Sequence, residues 1–268
     1  IRRRNLVPAE AMPYRTPAVS TYDSGDFAAA MDKAEALADI AGFAARRATT
    51  EARGLLRGIG YGNLLEACGA GIADRADLEC TADGTVVMRI GTMSNGQSHE
   101  TVYAQMLAEK LGIEMDRIRL IQGDSNETPW GMGTGACRSM TVGGSALVNA
   151  GDDLIEAGRE AASDLLEAAP QDIDYGDGAY TIRGTDRTLT LAEIAQDRPL
   201  KSSHHYAPEN STYPNGCHIA EVEVDPETGT VTLDRYSMAQ DVGRALNPRI
   251  VEGQLHGGVA QGVGQALL

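Results

Sequence analysis

The 268-residue chain has no excess of positive charge: 23 Lys and Arg stand against 38 Asp and Glu, a net charge of −15. Nucleic acids and anionic membrane surfaces recruit proteins through a basic footprint that displaces counterions, so this balance argues against both as partners. No uncharged apolar run approaches the roughly 18 residues of a membrane span. Cysteine is scarce too. The four, Cys68, Cys80, Cys137 and Cys217, are too scattered for a disulfide framework. They also lack the close pairing that zinc or iron–sulfur ligation needs, so no such centre is expected in this chain. Internal repeats and low-complexity segments are absent. What remains, 42% apolar and 23% charged residues, is a globular composition with enough apolar side chains for a core. The length allows one large domain or two ordinary ones.

Glycine is abundant, 31 of 268, against a usual share of about 7%. The opening Ile1-Arg2-Arg3-Arg4 leads into polar residues and prolines rather than an apolar stretch, so it is not expected to be a signal peptide. The chain starts at Ile and ends at Ala266-Leu267-Leu268 inside a helical pattern, and an internal piece of a longer polypeptide is the expectation.

Residues 1–25, with Pro8, Pro13 and Pro17, read as loop. Asp26 is placed to cap a helix in which Phe27, Met31, Ala34, Ala38 and Ala41 keep helical spacing, and which is expected to run to about Glu51. Arg46 and Arg47 lie near its end, where the helix dipole favours positive charge. Gly54, Gly58, Gly60 and Gly62 break the pattern and suggest a domain boundary. Leu78 to Gly91 reads as a hairpin around Ala82-Asp83-Gly84. A Gly/Ser/Asn loop, Thr92 to Ser98, precedes a helix from about His99 to Leu111. Arg117 to Ile121 reads as a strand, Thr128 to Gly135 as a shaped loop, and Gly144 to Ala168 as a long helix. His218 to Val224 and Thr230 to Met238 form a second hairpin across Asp225-Pro226-Glu227-Thr228-Gly229. Asn247-Pro248 reads as an N-cap with proline in the first turn of a final helix. Strands and helices alternate without a regular βαβ rhythm, so the expected fold class is α+β.

Three segments have the composition of a binding site. Gly96-Gln97-Ser98-His99-Glu100-Thr101 is a polar loop feeding a helix N-terminus, where unpaired N–H groups favour an anion, and Gln97 adds an amide that reads both donors and acceptors. An ordinary capped helix start is the competing reading. Gly131-Met132-Gly133-Thr134-Gly135-Ala136-Cys137-Arg138-Ser139 lets backbone approach a ligand closely, with Arg138 as a candidate phosphate ligand. It matches neither a dinucleotide fingerprint nor a Lys-Ser/Thr phosphate loop, and a plain glycine-rich turn is the alternative. The final helix holds Gly253, Gly257, Gly258, Gly262 and Gly264, each costing about 1 kcal/mol against Ala. Close packing of small residues against another helix would account for Gly257, Gly258 and Gly262, and leaves Gln254 unexplained. His204-His205 reads as a solvated pair in a polar loop. Cys137 is a candidate activated thiol with no base legible beside it. Asp152, Asp153, Glu156 and Glu160 read as a solvated helix face.

Taken in order, five stretches resemble the molybdenum hydroxylase family, which comprises xanthine dehydrogenase, aldehyde oxidase and the carbon monoxide dehydrogenase large subunit. They are Ile1-Arg2-Arg3-Arg4-Asn5 with Met12-Pro13-Tyr14; Arg57-Gly58-Ile59-Gly60; Gly96-Gln97-Ser98-His99-Glu100-Thr101-Val102-Tyr103-Ala104-Gln105; Cys137-Arg138-Ser139; and Asp241-Val242-Gly243 through Asn247-Pro248 to Val251-Glu252-Gly253-Gln254-Leu255-His256-Gly257-Gly258. They span the chain, and the carbon monoxide dehydrogenase-like branch matches best. The resemblance implies an α+β molybdopterin-binding domain of the xanthine dehydrogenase/aldehyde oxidase type, truncated at both ends. Residues 1–50 would be the tail of a first cofactor-binding domain, and 51–268 a second one, incomplete at its C-terminus.

By the same resemblance, Gln97, Ser98, His99 and Thr101 correspond to the family's Gly-Gln-Gly cofactor loop, Cys137, Arg138 and Ser139 to its Ser-Arg-Ser segment, and Asp241, Asn247 and Gln254 to a third cofactor-contacting stretch. Ser98 replaces the usual glycine, and Cys137 and Val242 stand where some relatives have Ser and Cys. The implied cofactor is molybdopterin with molybdenum, in its cytosine dinucleotide form, with the metal held by the pterin rather than by this chain. Iron–sulfur and FAD centres would sit on partner chains or domains, in a dimer of the full complex in the cytoplasm. The implied activity is oxidation of an aldehyde, an N-heterocycle or a similar small molecule with water-derived oxygen. No catalytic residue is expected here: the family's base lies in a later Gly-Val-Gly-Glu segment, and Gly262-Val263-Gly264-Gln265 reads as helix. The chain alone is expected to be catalytically silent. The competing expectations are a non-catalytic module that binds a dinucleotide-like ligand and a structural subunit kept for assembly.

Overall fold

Two sequence signals run through the molecule: apolar residues at three- and four-residue spacing in the helices, and apolar–polar alternation in the arms of the second hairpin. A computed structural model describes residues 1–268 apart from Val19, Ala70, Pro129 and Trp130. In chain order the elements are α1 (Arg2–Asn5), β1 (Tyr14–Arg15), β2 (Thr21–Tyr22), α2 (Phe27–Ala38), α3 (Phe43–Glu51), β3 (Leu56–Leu65), β4 (Asp74–Cys80), β5 (Val86–Ile90), α4 (His99–Leu111), β6 (Ile118–Ile121), α5 (Ser145–Leu166), β7 (Ile173–Gly176), β8 (Ala179–Ile182), β9 (Thr188–Thr190), α6 (Leu191–Asp197), β10 (Leu200–Tyr206), β11 (Asn215–Val224), β12 (Val231–Asp241) and α7 (Pro248–Leu267). The chain divides into two compact units: Ile1–Cys68 with Ser211–Ala245 and Leu255–Leu268, and Gly69–Asn210 with Leu246–Gln254.

In the first unit β11 pairs antiparallel with β12 on one side and β3 on the other. Helix α2 lies on this sheet, packing Met31, Ala34 and Ala38 against Cys217, Ile219 and Ala239. Asp26 caps α2, its Oδ1 accepting from Ala29 N at 2.9 Å. The expected single helix to Glu51 is instead broken at Asp39, whose φ of 51° is left-handed. The Asp39 carboxylate caps the turn that follows and anchors Arg46 at 2.7 Å. Arg46 is therefore no end-of-helix charge: with Arg57 it closes on Glu221, buried in the sheet, at 2.6 and 2.7 Å. Burial raises the Glu221 carboxyl, but the two arginines more than offset this and hold it below the usual range. Gly58, Gly60 and Gly62 lie within β3 and pair with Val222, Ala220 and His218. The segment 1–25 is not wholly loop either, since α1, β1 and β2 fall in it.

The second unit is built on a sheet of order β10-β4-β5-β6, antiparallel except for the β5–β6 pair. Parallel neighbours require a crossover, and α4 supplies it. The β4–β5 hairpin turns at Thr81–Thr85, as the Asp-Gly signal indicates. Helix α5 puts Leu147, Ala150, Leu154, Ala161 and Leu166 into a core shared with Leu78, Met88 and Ile90 of the sheet and Tyr103, Leu107 and Leu111 of α4. Gly158 lets α5 pass directly over Tyr180, whose hydroxyl donates to Ile155 O at 2.9 Å; a Cβ there would overlap the ring. The β7-β8-β9 meander, α6 with its Thr190–Glu193 capping box, and β10 complete this unit. These short polar elements are not legible in the sequence. His204 and His205 accordingly lie on strand β10, not in a loop, and His204 Nδ1 meets Asp153 at 2.8 Å. The acidic residues Asp152, Asp153, Glu156 and Glu160 do form the exposed face of α5.

Asn247 opens α7, accepting from Ile250 N at 3.2 Å. No residue of α7 is buried, and among the described residues nothing lies within 4 Å of where a Cβ would stand on its five glycines. The expected close packing of this helix is therefore not made.

Candidate functional site

The loop after β5 leaves the sheet at the carboxyl end of a parallel pair and enters the N-terminus of α4, the place where open sheets with crossover helices bind ligands. At the helix start Ser98 has φ 55° and ψ 47°, a left-handed conformation, and its side chain makes no capping bond. Its carbonyl accepts from Thr101 N and Val102 N, both at 3.1 Å. Gln97 Oε1 accepts from Asn95 N and so curls the loop back on itself.

The second glycine-rich loop lies directly against the first. Thr134 Oγ1 donates to Met93 O at 2.6 Å and accepts from Met93 N at 3.1 Å, and Ser139 Oγ lies 3.2 Å away. Gly133 N donates to Gly91 O at 3.2 Å. Gly131 is required at this seam, since a Cβ on it would overlap the Gly91 backbone. Pro129 and Trp130, part of the expected Thr128–Gly135 loop, lie outside the described residues. Ala136 and Cys137 have φ of 48° and 51°. With Ser98, three non-glycine residues of these loops are held in a conformation that side chains disfavour, and such strain gathers where function demands a particular backbone.

Below the seam lies a buried polar layer. The Tyr103 hydroxyl donates to Ser139 O at 2.8 Å and lies 2.9 Å from Thr92 Oγ1, tying the start of α5's approach to the end of β5. Burial pushes the Tyr103 phenol up to about 12, so it stays protonated. His99, 1% exposed, packs its ring on Tyr103 at 4.8 Å, and burial holds its imidazole below the usual range. The Gln122 amide satisfies its surroundings in one orientation: its nitrogen donates to His99 Nδ1 and Thr92 O, both at 3.2 Å, and its oxygen accepts from Ser94 N at 3.3 Å. His99 Nε2 is buried without a partner.

Arg138 does not present its charge to a ligand. Its guanidinium, 2% exposed, donates to Gly133 O at 3.0 Å and Ala73 O at 2.9 Å and lies 2.8 Å from Asp74 Oδ2. Burial pushes the Asp74 carboxyl up, against the pull of the Arg75 N–H and the Arg138 charge. Arg138 thus shapes the second loop from behind. Cys137 is exposed.

The third stretch is divided. Asn247 Nδ2 donates to Gln105 Oε1 at 2.9 Å, which brings the start of α7 to the side of α4 in the same unit. Gln254 is exposed on α7. Asp241, whose Oδ1 accepts from Gly243 N at 2.9 Å, belongs to the first unit. The second unit therefore gathers Gln97, Ser98, His99 and Thr101 with Cys137, Arg138 and Ser139. Thr92, Tyr103, Gln105, Gln122, Thr134 and Asp74, which join these segments, carry no sequence signal because their partners are distant in the chain. The arrangement supplies backbone N–H groups, neutral amides and hydroxyls. Among the described residues no group of three His, Cys, Asp or Glu is placed to hold a metal ion.

Residues 33–268 match the molybdopterin cofactor-binding domain family. The chain belongs to that family. It is 32% identical over 292 residues to the carbon monoxide dehydrogenase large chain of Hydrogenophaga pseudoflava, covering 100% of this chain and 36% of that one. It is 33% identical over 284 residues to the 6-hydroxypseudooxynicotine dehydrogenase complex subunit gamma of Paenarthrobacter nicotinovorans, covering 99% and 36%. Its fold superposes on quinoline 2-oxidoreductase from Pseudomonas putida 86 with a TM-score of 0.87 and 29% identity, over 98% of this chain and 37% of that one. The chain thus spans little more than a third of the length of these relatives, and its mixed helix-and-sheet fold is that of a molybdopterin-binding domain.

Proposed function

We propose that the stitched loops of the second unit hold a molybdopterin cofactor bearing molybdenum, in its cytosine dinucleotide form. The observation that carries this reading is the seam itself: in a chain of the molybdopterin-binding family, Thr134 joins two strained glycine-rich loops at the N-terminus of α4, beside a buried His99 whose Nε2 has no partner. The donor set suits the group. A pyrophosphate is held well by helix N-terminal and loop N–H groups and by amides, without net positive charge, so −15 is no obstacle. A metal held by the pterin's own sulfurs asks no ligand cluster of the protein.

In this reading Gln97, Ser98, His99 and Thr101 bind from the first loop, and Cys137 and Ser139 from the second, with Arg138 fixing the second loop's shape. Asp241, Asn247 and Gln254 form a third contacting stretch. The bound group supplies two-electron redox chemistry with oxygen drawn from water; the chain's share is binding and orientation. The protein carrying this chain would oxidise an aldehyde, an N-heterocycle or a similar small molecule, passing electrons to iron–sulfur and flavin centres on partner chains or domains, as a dimeric complex in the cytoplasm. Residues 1–50 would belong to a first cofactor-binding domain and 51–268 to a second. The relatives named as a carbon monoxide dehydrogenase large chain and as a subunit of a dehydrogenase complex support this reading.

The test is cofactor content. Gln97→Ala and Gln254→Ala each remove an amide and strand its partners, a loss of about 1–3 kcal/mol. Both variants should keep the fold by circular dichroism and lose molybdenum by elemental analysis. Full molybdenum in both overturns the assignment of these segments.

A further inference from the structure

The unpartnered His99 nitrogen acquires chemical meaning from its neighbour on the opposite side of the ring. Gln122 follows β6 directly, and its amide is fixed by two groups that admit no exchange of roles: the Thr92 carbonyl accepts, and the Ser94 N–H donates. The amide nitrogen must face Thr92 O, and the same NH2 then reaches His99 Nδ1 at 3.2 Å. A ring nitrogen that receives an N–H is bare, so the proton of the neutral imidazole resides on Nε2. Nε2 is thereby a donor, and it is the buried ring atom without a partner. Buried donors in native structures are almost always matched, so an unmatched one calls for an acceptor that the described polypeptide does not supply.

We propose that Gln122 is a positioning residue of the site: it locks His99 as the Nε2–H tautomer, so that the ring donates a hydrogen bond to an acceptor oxygen or ring nitrogen of the bound ligand. This rests on the reading that the Gly96–Thr101 loop holds a pterin cofactor. The phosphates and the pterin carbonyl accept hydrogen bonds whereas the pterin amino and ring N–H groups donate them, so the tautomer decides which of these groups His99 can meet. The same amide holds Thr92 and Ser94, so one side chain fixes both the loop's course and the polarity of the histidine above it.

The test is run on the molybdenum-loaded protein labelled with 15N-histidine, with magic-angle-spinning NMR reading the tautomer and His99→Asn identifying the signal. The expected wild-type spectrum shows Nε2 protonated and Nδ1 bare. Gln122→Glu replaces the donating NH2 with an acceptor and should move the proton to Nδ1. Cofactor loss, followed as molybdenum released on dilution, should then be about tenfold faster, with the circular-dichroism spectrum of the folded protein retained. Gln122→Met, which neither donates nor accepts, should give an intermediate release rate and a mixed tautomer. A wild-type His99 protonated at Nδ1 overturns the proposal without any variant. So does a Gln122→Glu protein whose tautomer has switched while its release rate is unchanged, since a merely structural glutamine would behave so. Wild-type protein devoid of molybdenum overturns the cofactor reading, a distinguishable result.

Discussion

Ser98 occupies a position that its own side chain disfavours, and replacing it with glycine should stabilise the chain. At φ 55° and ψ 47° the Cβ of an L-residue crowds its own backbone, a strain of about 1–2 kcal/mol. Serine at a helix start normally offsets such terms by capping, but here the hydroxyl makes no capping bond. Nothing is therefore lost with it. Glycine brings a more flexible unfolded chain, a penalty of about 0.4–1 kcal/mol. The balance is a gain of about 0.5–1 kcal/mol for Ser98→Gly, which for a chain of this size raises the unfolding temperature by about 1–4 °C. Ser98→Ala keeps the Cβ and should be neutral. Calorimetry of the three proteins side by side decides. A loss of 1 kcal/mol or more in both variants, the signature of a lost N-cap, would refute the reasoning.

Other consequences follow from the same contacts. Gly131→Ala drives a Cβ into the Gly91 backbone, so the seam must part; hydrogen exchange at residues 91–97 and 131–139 should accelerate together. Glu221→Ala leaves Arg46 and Arg57 facing each other without their shared carboxylate and should destabilise the first unit by about 3 kcal/mol in denaturant titration. Because the folded Glu221 carboxyl lies below its usual value of 4.5, its contribution is whole above that pH and drains away as pH falls beneath it. His99 titrates below its usual 6.5 because it is buried, so the unfolded chain takes up the proton first. Its contribution is complete above pH 6.5 and declines as pH falls from there, and exchange protection in the first turn of α4 should follow that course and not decline towards alkaline pH.

The hairpins were legible because an Asp-Gly turn stands between apolar stretches in one and a five-residue polar turn between alternating arms in the other. The break at Asp39 was hidden because Ile40 and Ala41 continue helical spacing; only the left-handed turn and its bond to Arg46 reveal it. Gly58, Gly60 and Gly62 gave no strand signal, since their poor strand propensity is overridden by pairing with β11, far away in sequence. Strands β7 to β10 are short and polar and make no period of their own. At the candidate site, glycine spacing and the helix-start loop marked both loops that the fold brings together. What joins them did not show: Thr134 reaches Met93 across 41 residues and Tyr103 reaches Ser139 across 36. Arg138 was legible as a cation but not as a buried one, because its partner Asp74 is brought to it only by the fold.

The central claim, that these loops hold a molybdopterin dinucleotide, is tested most directly by measuring molybdenum together with the nucleotide released by acid from the purified protein that carries this chain. The account predicts stoichiometric molybdenum accompanied by an equal amount of cytidine monophosphate. Folded protein containing neither would contradict it.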